Sequence, residues 1–166
     1  KGFVTMDKAT ARQELGLDDR PLVLSFGGSL GARPINKAVV GLIKWHADKG
    51  EIFHIHGTGK SGYSDMLDDI KAEGIDLEKY PKISVREYIN DMDVCLAAAD
   101  LVICRSGAIT LSELQNCGKA AILIPSPYVA ENHQYHNAMA LVNKNAARVI
   151  EEKELTKEKM NELRGL

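Results

Sequence analysis

The sequence predicts a doubly wound, Rossmann-like α/β domain built on a parallel sheet of about six strands. Three observations carry this expectation. Short apolar, β-branched runs alternate with longer segments of helical character along the whole 166-residue chain. The runs are largely apolar, without a polar face at alternate positions, as in sheets covered by helices on both faces. The glycine-rich and polar segments fall just after those runs, at the strand ends where such sheets bind their ligands.

The first helix is expected over Ala9 to Leu15, ahead of a strand from Leu22 to Phe26. Gly27-Gly28-Ser29-Leu30-Gly31-Ala32 then leads into a helix from about Pro34 to Asp48, with Pro34 in the first turn, where its lacking N–H costs nothing. Glu51 to His56 reads as the second strand, followed by Gly57-Thr58-Gly59 and a polar helix from about Ser61 to Glu73. Ile83 to Val85 is a short third strand, and Asn90 is the expected N-cap of a helix reaching Ala99. Leu101 to Cys104 forms the fourth strand, its helix running from about Ala108 to Asn116 with Gly118 as the stop. Ala120 to Ile124 is the fifth, then a helix from about Asn132 to Lys144. A sixth strand spans Ala147 to Ile150, and a last helix begins near Thr156.

Composition fits a single domain, residues 1–166, with 45 % apolar and 27 % charged residues. Twenty-one basic against 23 acidic residues leave a formal charge of −2, without the concentrated basic face that nucleic-acid binding requires. Cys95, Cys104 and Cys117 form no paired motif; Cys104 and Cys117 read as small core residues of a reducing compartment. No apolar run approaches the roughly 20 residues of a membrane span, and no signal peptide is visible.

The most informative stretch is Cys104 to Glu113. A strand breaks into Ser106-Gly107 and opens a helix, a combination that binds anions through backbone N–H groups and the helix dipole. Glu113, one turn further, is placed to accept hydrogen bonds from two adjacent hydroxyls. Phosphate at the helix tip and a diol beside it describe a nucleotide with a free ribose. Gly27, Gly28 and Gly31 let a second backbone segment approach a phosphate, and Ser29 adds a hydroxyl. The spacing does not meet the dinucleotide pattern, because Phe26 stands where its first glycine belongs.

Other motifs have plainer readings. Gly59-Lys60-Ser61 resembles the end of a P-loop, but His54 occupies the position of the required upstream glycine. The loop reads instead as a second glycine-rich wall of the same crevice. Asp91-Met92-Asp93 suits a helix start, where the dipole favours acidic residues. His54 and His56 share a strand face, and His133 and His136 share a helix, yet no further ligand completes a metal site by spacing. Glu131 to Asn137 gathers amides and imidazoles at a helix start, either as a reader of sugar hydroxyls or as a cap with a solvated turn. Arg105 fits either a diphosphate or a salt bridge behind the strand.

Taken together, Gly27 to Arg33, Val85 to Met92, Ala99 to Glu113 and Asn132 to Ala138 resemble the C-terminal, donor-binding domain of family-28 glycosyltransferases of GT-B architecture. These motifs stand in order over nearly the whole chain. The resemblance implies half of a two-domain bacterial enzyme of peptidoglycan synthesis. That enzyme is a hexosyltransferase that moves N-acetylglucosamine from UDP-N-acetylglucosamine to the 4-hydroxyl of the muramyl unit of lipid I, with inversion, to give lipid II. Glu113 would hold the ribose hydroxyls, and the Ile89 backbone would pair with uracil. Ser29, Ala108, Ile109 and Thr110 would meet the diphosphate and sugar, with Gly27, Gly28, Gly31 and Gly107 as the phosphate loops. His133, Gln134 and Asn137 would face the N-acetylglucosamine; the family pattern has glutamine where His133 stands.

No metal and no cofactor is implied, and no catalytic residue falls in this half. An N-terminal domain, absent from the chain, would bring the general base and the lipid I surface. It would also make most of the contact with the cytoplasmic face of the plasma membrane. This half alone would be soluble and inactive. The same architecture admits a UDP-N-acetylglucosamine 2-epimerase, a diacylglycerol glucosyltransferase, or a non-catalytic nucleotide-binding module.

Overall fold

The computed structural model describes residues 7–27, 33–50, 52–105, 120–124 and 147–149. Helix α1 spans Lys8–Glu14, capped by the Asp7 carboxylate, which accepts from the Thr10 N–H at 2.7 Å. Strand β1 (Leu22–Phe26) leads to α2 (Arg33–Lys49), and β2 (Phe53–Gly57) to a short 3-10 turn and α3 (Tyr63–Ala72). Then come β3 (Ile83–Arg86), α4 (Met92–Ala98), β4 (Leu101–Cys104), β5 (Ala120–Leu123) and β6 (Ala147–Val149). The helices expected over 108–116 and 132–144 and from 156 onward lie outside the described residues, as does the Gly118 stop.

All six strands pair in parallel, in the order β3-β2-β1-β4-β5-β6. The expected sheet is therefore present, with every strand within two residues of its predicted limits. Strand alternation divides the core into two layers. Leu22, Leu24, Ile55, Val102, Cys104, Ala121 and Leu123 pack with α1 and α4 on one face. Val23, Ile83, Ile103 and Ile122 pack with Ile35, Val39 and Ile43 of α2 and with Met66 and Ile70 of α3 on the other.

The element ends follow local chemistry. Helix α2 stops at Gly50, whose φ of 68° is left-handed and whose N–H returns to the His46 carbonyl at 2.8 Å. Helix α4 starts later than Asn90 suggests. Asp91 is its N-cap residue, yet the Asp91 carboxylate makes no capping bond. It turns back to accept from Arg86 Nη1 at 2.9 Å instead, because the ion pair competes for the same oxygen.

Candidate functional site

From β1 the chain steps outward to β2 and β3, then crosses back to β4 on the other side of β1 and continues to β5 and β6. The direction of winding thus reverses between β1 and β4. At such a switch point the loops leaving two neighbouring strands part and open a crevice beyond their carboxyl ends. The pairing of Ser25 with Ile103 brings the two strands to an end at the same level, at Phe26-Gly27 and Cys104-Arg105. These are the points from which the two glycine-containing segments singled out in the sequence depart.

Of the residues assigned to donor contacts, the described structure contains Gly27 and Ile89. Gly27 is buried at the end of β1. Gly28, Ser29, Gly31, Gly107, Ala108, Ile109, Thr110, Glu113, His133, Gln134 and Asn137 lie outside the described residues.

Ile89 sits on a loop held from three sides. The β2–β3 pairing continues past the strands, with the Thr58 N–H on the Arg86 carbonyl at 2.8 Å and the Gly59 N–H on that of Glu87 at 3.0 Å. Arg86 closes the loop by donating to Asp91 and, from Nε, to Ser84 Oγ at 3.1 Å. The Ile89 side chain packs on the α4 core over Gly57, where an added Cβ would stand 3.1 Å from Ile89 Cδ1. Tyr88, beside it, is an exposed aromatic. Beneath the loop, burial pushes the Cys95 thiol up to about 12, and the neighbouring Asp91 charge adds to the rise. That thiol is a packing group, not a nucleophile.

The opposite face of the sheet holds an arrangement that sequence reasoning missed. Ser25 Oγ lies 2.7 Å from both His54 Nε2 and His56 Nδ1. His54 Nδ1 meets His46 Nδ1 of α2 at 3.0 Å, and His56 Nε2 meets Asn36 Oδ1 at 2.8 Å. Asn36 Nδ2 then donates to the Thr58 carbonyl at 3.1 Å. All six residues are buried. The available signal was positional: Ser25, His54 and His56 interrupt apolar strands at places that alternation assigns to one face. Burial lowers the pKa of His54 well below 6.5, helped by the neighbouring His46 and His56, and burial lowers that of His56 to about 3. Both rings are neutral at physiological pH. Their nitrogens are committed to Ser25, His46 and Asn36, which gives His54-x-His56 a hydrogen-bonding role.

Asn36 and Thr58 also border a cleft of about 370 Å³ between the starts of α2 and α3, shared with Arg33, Ser61 and Asp65. Arg105 donates to the Ile124 carbonyl at 3.3 Å, tying the end of β4 to that of β5. At the other edge of the sheet Asp100 accepts from the buried Leu22 N–H at 2.8 Å, from Arg12 at 3.1 Å and from Lys8. Partial burial raises its pKa, but these bonds and the two cations hold it below the usual carboxylate value. Among the described residues no helix is long and apolar enough to cross a membrane.

The sequence pattern of the glycosyltransferase family 28 C-terminal domain matches residues 22–163. The chain is 47 % identical over 154 residues to the UDP-N-acetylglucosamine–N-acetylmuramyl-(pentapeptide) pyrophosphoryl-undecaprenol N-acetylglucosamine transferase of Acetivibrio thermocellus, covering 92 % of this chain and 40 % of that protein. It is 46 % identical over 143 residues to the protein of the same description from Desulforamulus reducens, covering 86 % and 38 %. The chain therefore spans about two-fifths of the length of these relatives. The crystal structure of Acinetobacter baumannii MurG superposes with a TM-score of 0.79 at 28 % identity, over 98 % of this chain and 45 % of that one.

Proposed function

Because the chain belongs to the glycosyltransferase family 28 C-terminal domain family, we propose that it is the donor-binding half of an inverting N-acetylglucosaminyltransferase of peptidoglycan synthesis. Its donor is UDP-N-acetylglucosamine and its acceptor lipid I. The observation that carries this reading is identity of 46–47 % with transferases of that description over 86–92 % of the chain. The winding reversal between β1 and β4 supports it, since that is where a nucleotide crevice forms in a sheet of this order.

In this reading the diphosphate lies across the two strand ends, against the glycines after β1 and the helix that follows Gly107. As the acceptor 4-hydroxyl attacks the anomeric carbon, the sugar–phosphate bond breaks and negative charge grows on UDP. Fixed N–H groups and hydroxyls at the helix start, with Ser29 and Thr110, stabilise that charge. Glu113 holds the ribose, the Ile89 backbone reads uracil, and His133, Gln134 and Asn137 face the sugar. The part of such proteins that this chain does not match supplies the general base and the lipid I surface. It also supplies most of the membrane contact, at the cytoplasmic face, and the two halves close over the donor.

The test is calorimetric titration of the chain with UDP-N-acetylglucosamine in EDTA, with UDP-glucose and UDP-N-acetylgalactosamine as competitors. Preferential binding of UDP-N-acetylglucosamine is expected. Glu113→Ala should weaken it by roughly 1.5–3 kcal/mol, the value of hydrogen bonds to a charged acceptor. Equal affinity for wild type and variant would remove Glu113 from the site.

A further inference from the structure

The turn after β2 spends its backbone N–H groups on the neighbouring loop. The Thr58 N–H donates to the Arg86 carbonyl at 2.8 Å, and the Gly59 N–H to the Glu87 carbonyl at 3.0 Å. Those two carbonyls open the loop that carries Ile89. With Gly57 under the Ile89 side chain, the loop rests on three successive residues of one turn. The segment Gly57-Thr58-Gly59 is thus a support for the Ile89 loop, and neither of these N–H groups is left for a phosphate.

The weak point of this support is the peptide unit between Thr58 and Gly59. Its carbonyl and its N–H lie in one rigid plane and point opposite ways, so the direction of one fixes that of the other. Gly59 has a φ of 79°, and a glycine there leaves the plane before it free to turn over. The Asn36 amide, in the first turn of α2, holds that plane: its Nδ2 donates to the Thr58 carbonyl at 3.1 Å, across the peptide from Glu87. A peptide turned over would set the Thr58 carbonyl against that of Glu87 and lose both bonds.

Asn36 is itself fixed in orientation. Only Nδ2 can face the Thr58 carbonyl, so Oδ1 is left to accept from His56 Nε2 at 2.8 Å. His56 Nδ1 in turn lies 2.7 Å from Ser25 Oγ. On the approach to α3, a Cβ on Gly62 would stand 2.5 Å from Asn36 Nδ2, so glycine is what leaves the amide its room. Ser25, Asn36, His56 and Thr58 are all buried, where water does not replace a lost bond.

We propose that Asn36 is a positioning residue for base recognition. It locks the Thr58–Gly59 peptide, which aims the Gly59 N–H at Glu87 and sets the height of the loop whose Ile89 backbone reads uracil. The proposal rests on the donor-binding reading above and deepens it: Asn36 acts through Thr58, not by contact with the nucleotide.

The test sets UDP against CDP, which share ribose and diphosphate, in competition on the chain followed by ligand-observed NMR. Cytosine presents a donor where uracil presents an acceptor, so wild type should prefer UDP. In Asn36→Ala that preference should fall about tenfold, the value of one hydrogen bond, because a shifted loop loses its fit to uracil. Only folded protein enters the ratio, so a loss of stability alone does not move it. Gly62→Ala displaces the amide from Thr58 while keeping Asn36, and carries the test if Asn36→Ala does not fold. In both variants the Gly59 N–H should exchange with solvent faster than in wild type, measured against the strand amides of β1 and β4. A UDP preference that the folded variants retain, or unchanged Gly59 exchange, overturns the positioning role and leaves the donor-binding reading standing. Wild type that binds neither nucleotide overturns the donor-binding reading, and wild type that binds both equally overturns base reading by the Ile89 loop. Either result takes the positioning role with it.

Discussion

Gly57, the last residue of β2, lies directly under Ile89: a methyl group there would stand 3.1 Å from Cδ1 and 3.2 Å from Cγ1 of that side chain. The contact sets how far the loop after β3 can settle toward the sheet, and hence where the Ile89 backbone is presented. Gly57→Ala should lift Ile89 by a few tenths of an ångström. Overpacking of this kind costs about 1–3 kcal/mol where neighbours cannot yield. The loss should show in urea denaturation, together with weaker uridine binding. An alanine variant that matches wild type in both would mean that the loop position is not set by this contact.

The Arg86–Asp91 bridge closes the same loop from the other side, with both partners partly exposed. Asp91→Asn keeps an acceptor for Arg86 and for the Cys95 thiol but removes the charge. Stability should change by less than about 1 kcal/mol, as for exposed pairs. Loss of the nearby carboxylate should also lower the Cys95 thiol from its raised position near 12, which the pH dependence of alkylation in mild denaturant reports. A thiol unaffected by the substitution would leave burial as the whole cause.

The buried histidines make the fold sensitive to acid. In the unfolded chain both His54 and His56 take up protons near pH 6.5, whereas the folded state keeps His54 well below that value and His56 uncharged down to about 3. The unfolded state therefore binds more protons between these limits. Stability should be complete above about pH 6.5 and fall as pH drops toward 3, by up to about 1.4 kcal/mol per pH unit for each histidine. Urea midpoints at pH 7.5, 6, 5 and 4 measure it. Midpoints that stay level down to pH 4.5 would contradict the neutral chain. Asp7 and Asp100, with pKa values lowered from 3.8, add their own loss only at the acid end of this range.

At the amino edge of the sheet, Asp100 joins α1 to the start of β1. Asp100→Ala leaves the buried Leu22 N–H without that acceptor and should cost about 1–3 kcal/mol. Asp100→Asn retains an acceptor and should cost less. Urea denaturation of the two variants orders them; equal losses would assign the effect to the ion pairs with Lys8 and Arg12 instead.

The fold was largely legible along the chain because its signals are local. Apolar runs of four or five residues, glycine and proline at the breaks, and helical periodicity between them are properties of neighbouring residues. They place six strands to within two residues. The two glycine-containing segments were likewise recognisable from composition, and the Ile89 loop from the family resemblance of Val85 to Met92. Asn90 misled as a cap because the competitor for the helix start, an ion pair from Asp91 to Arg86 across the loop, depends on how the loop closes.

By itself the sequence determined the α/β class, the parallel sheet and the segments that follow each strand, since hydrophobic pattern and turn chemistry act over a few residues. Only the tertiary structure decided the strand order, and with it that β1 and β4 are the neighbours between which the winding reverses. It also decided that His54 and His56 share the Ser25 hydroxyl and pair with His46 and Asn36 of α2. Such pairings join residues far apart in the chain through hydrogen bonds that exist only once the sheet and α2 have packed, and no local pattern encodes them.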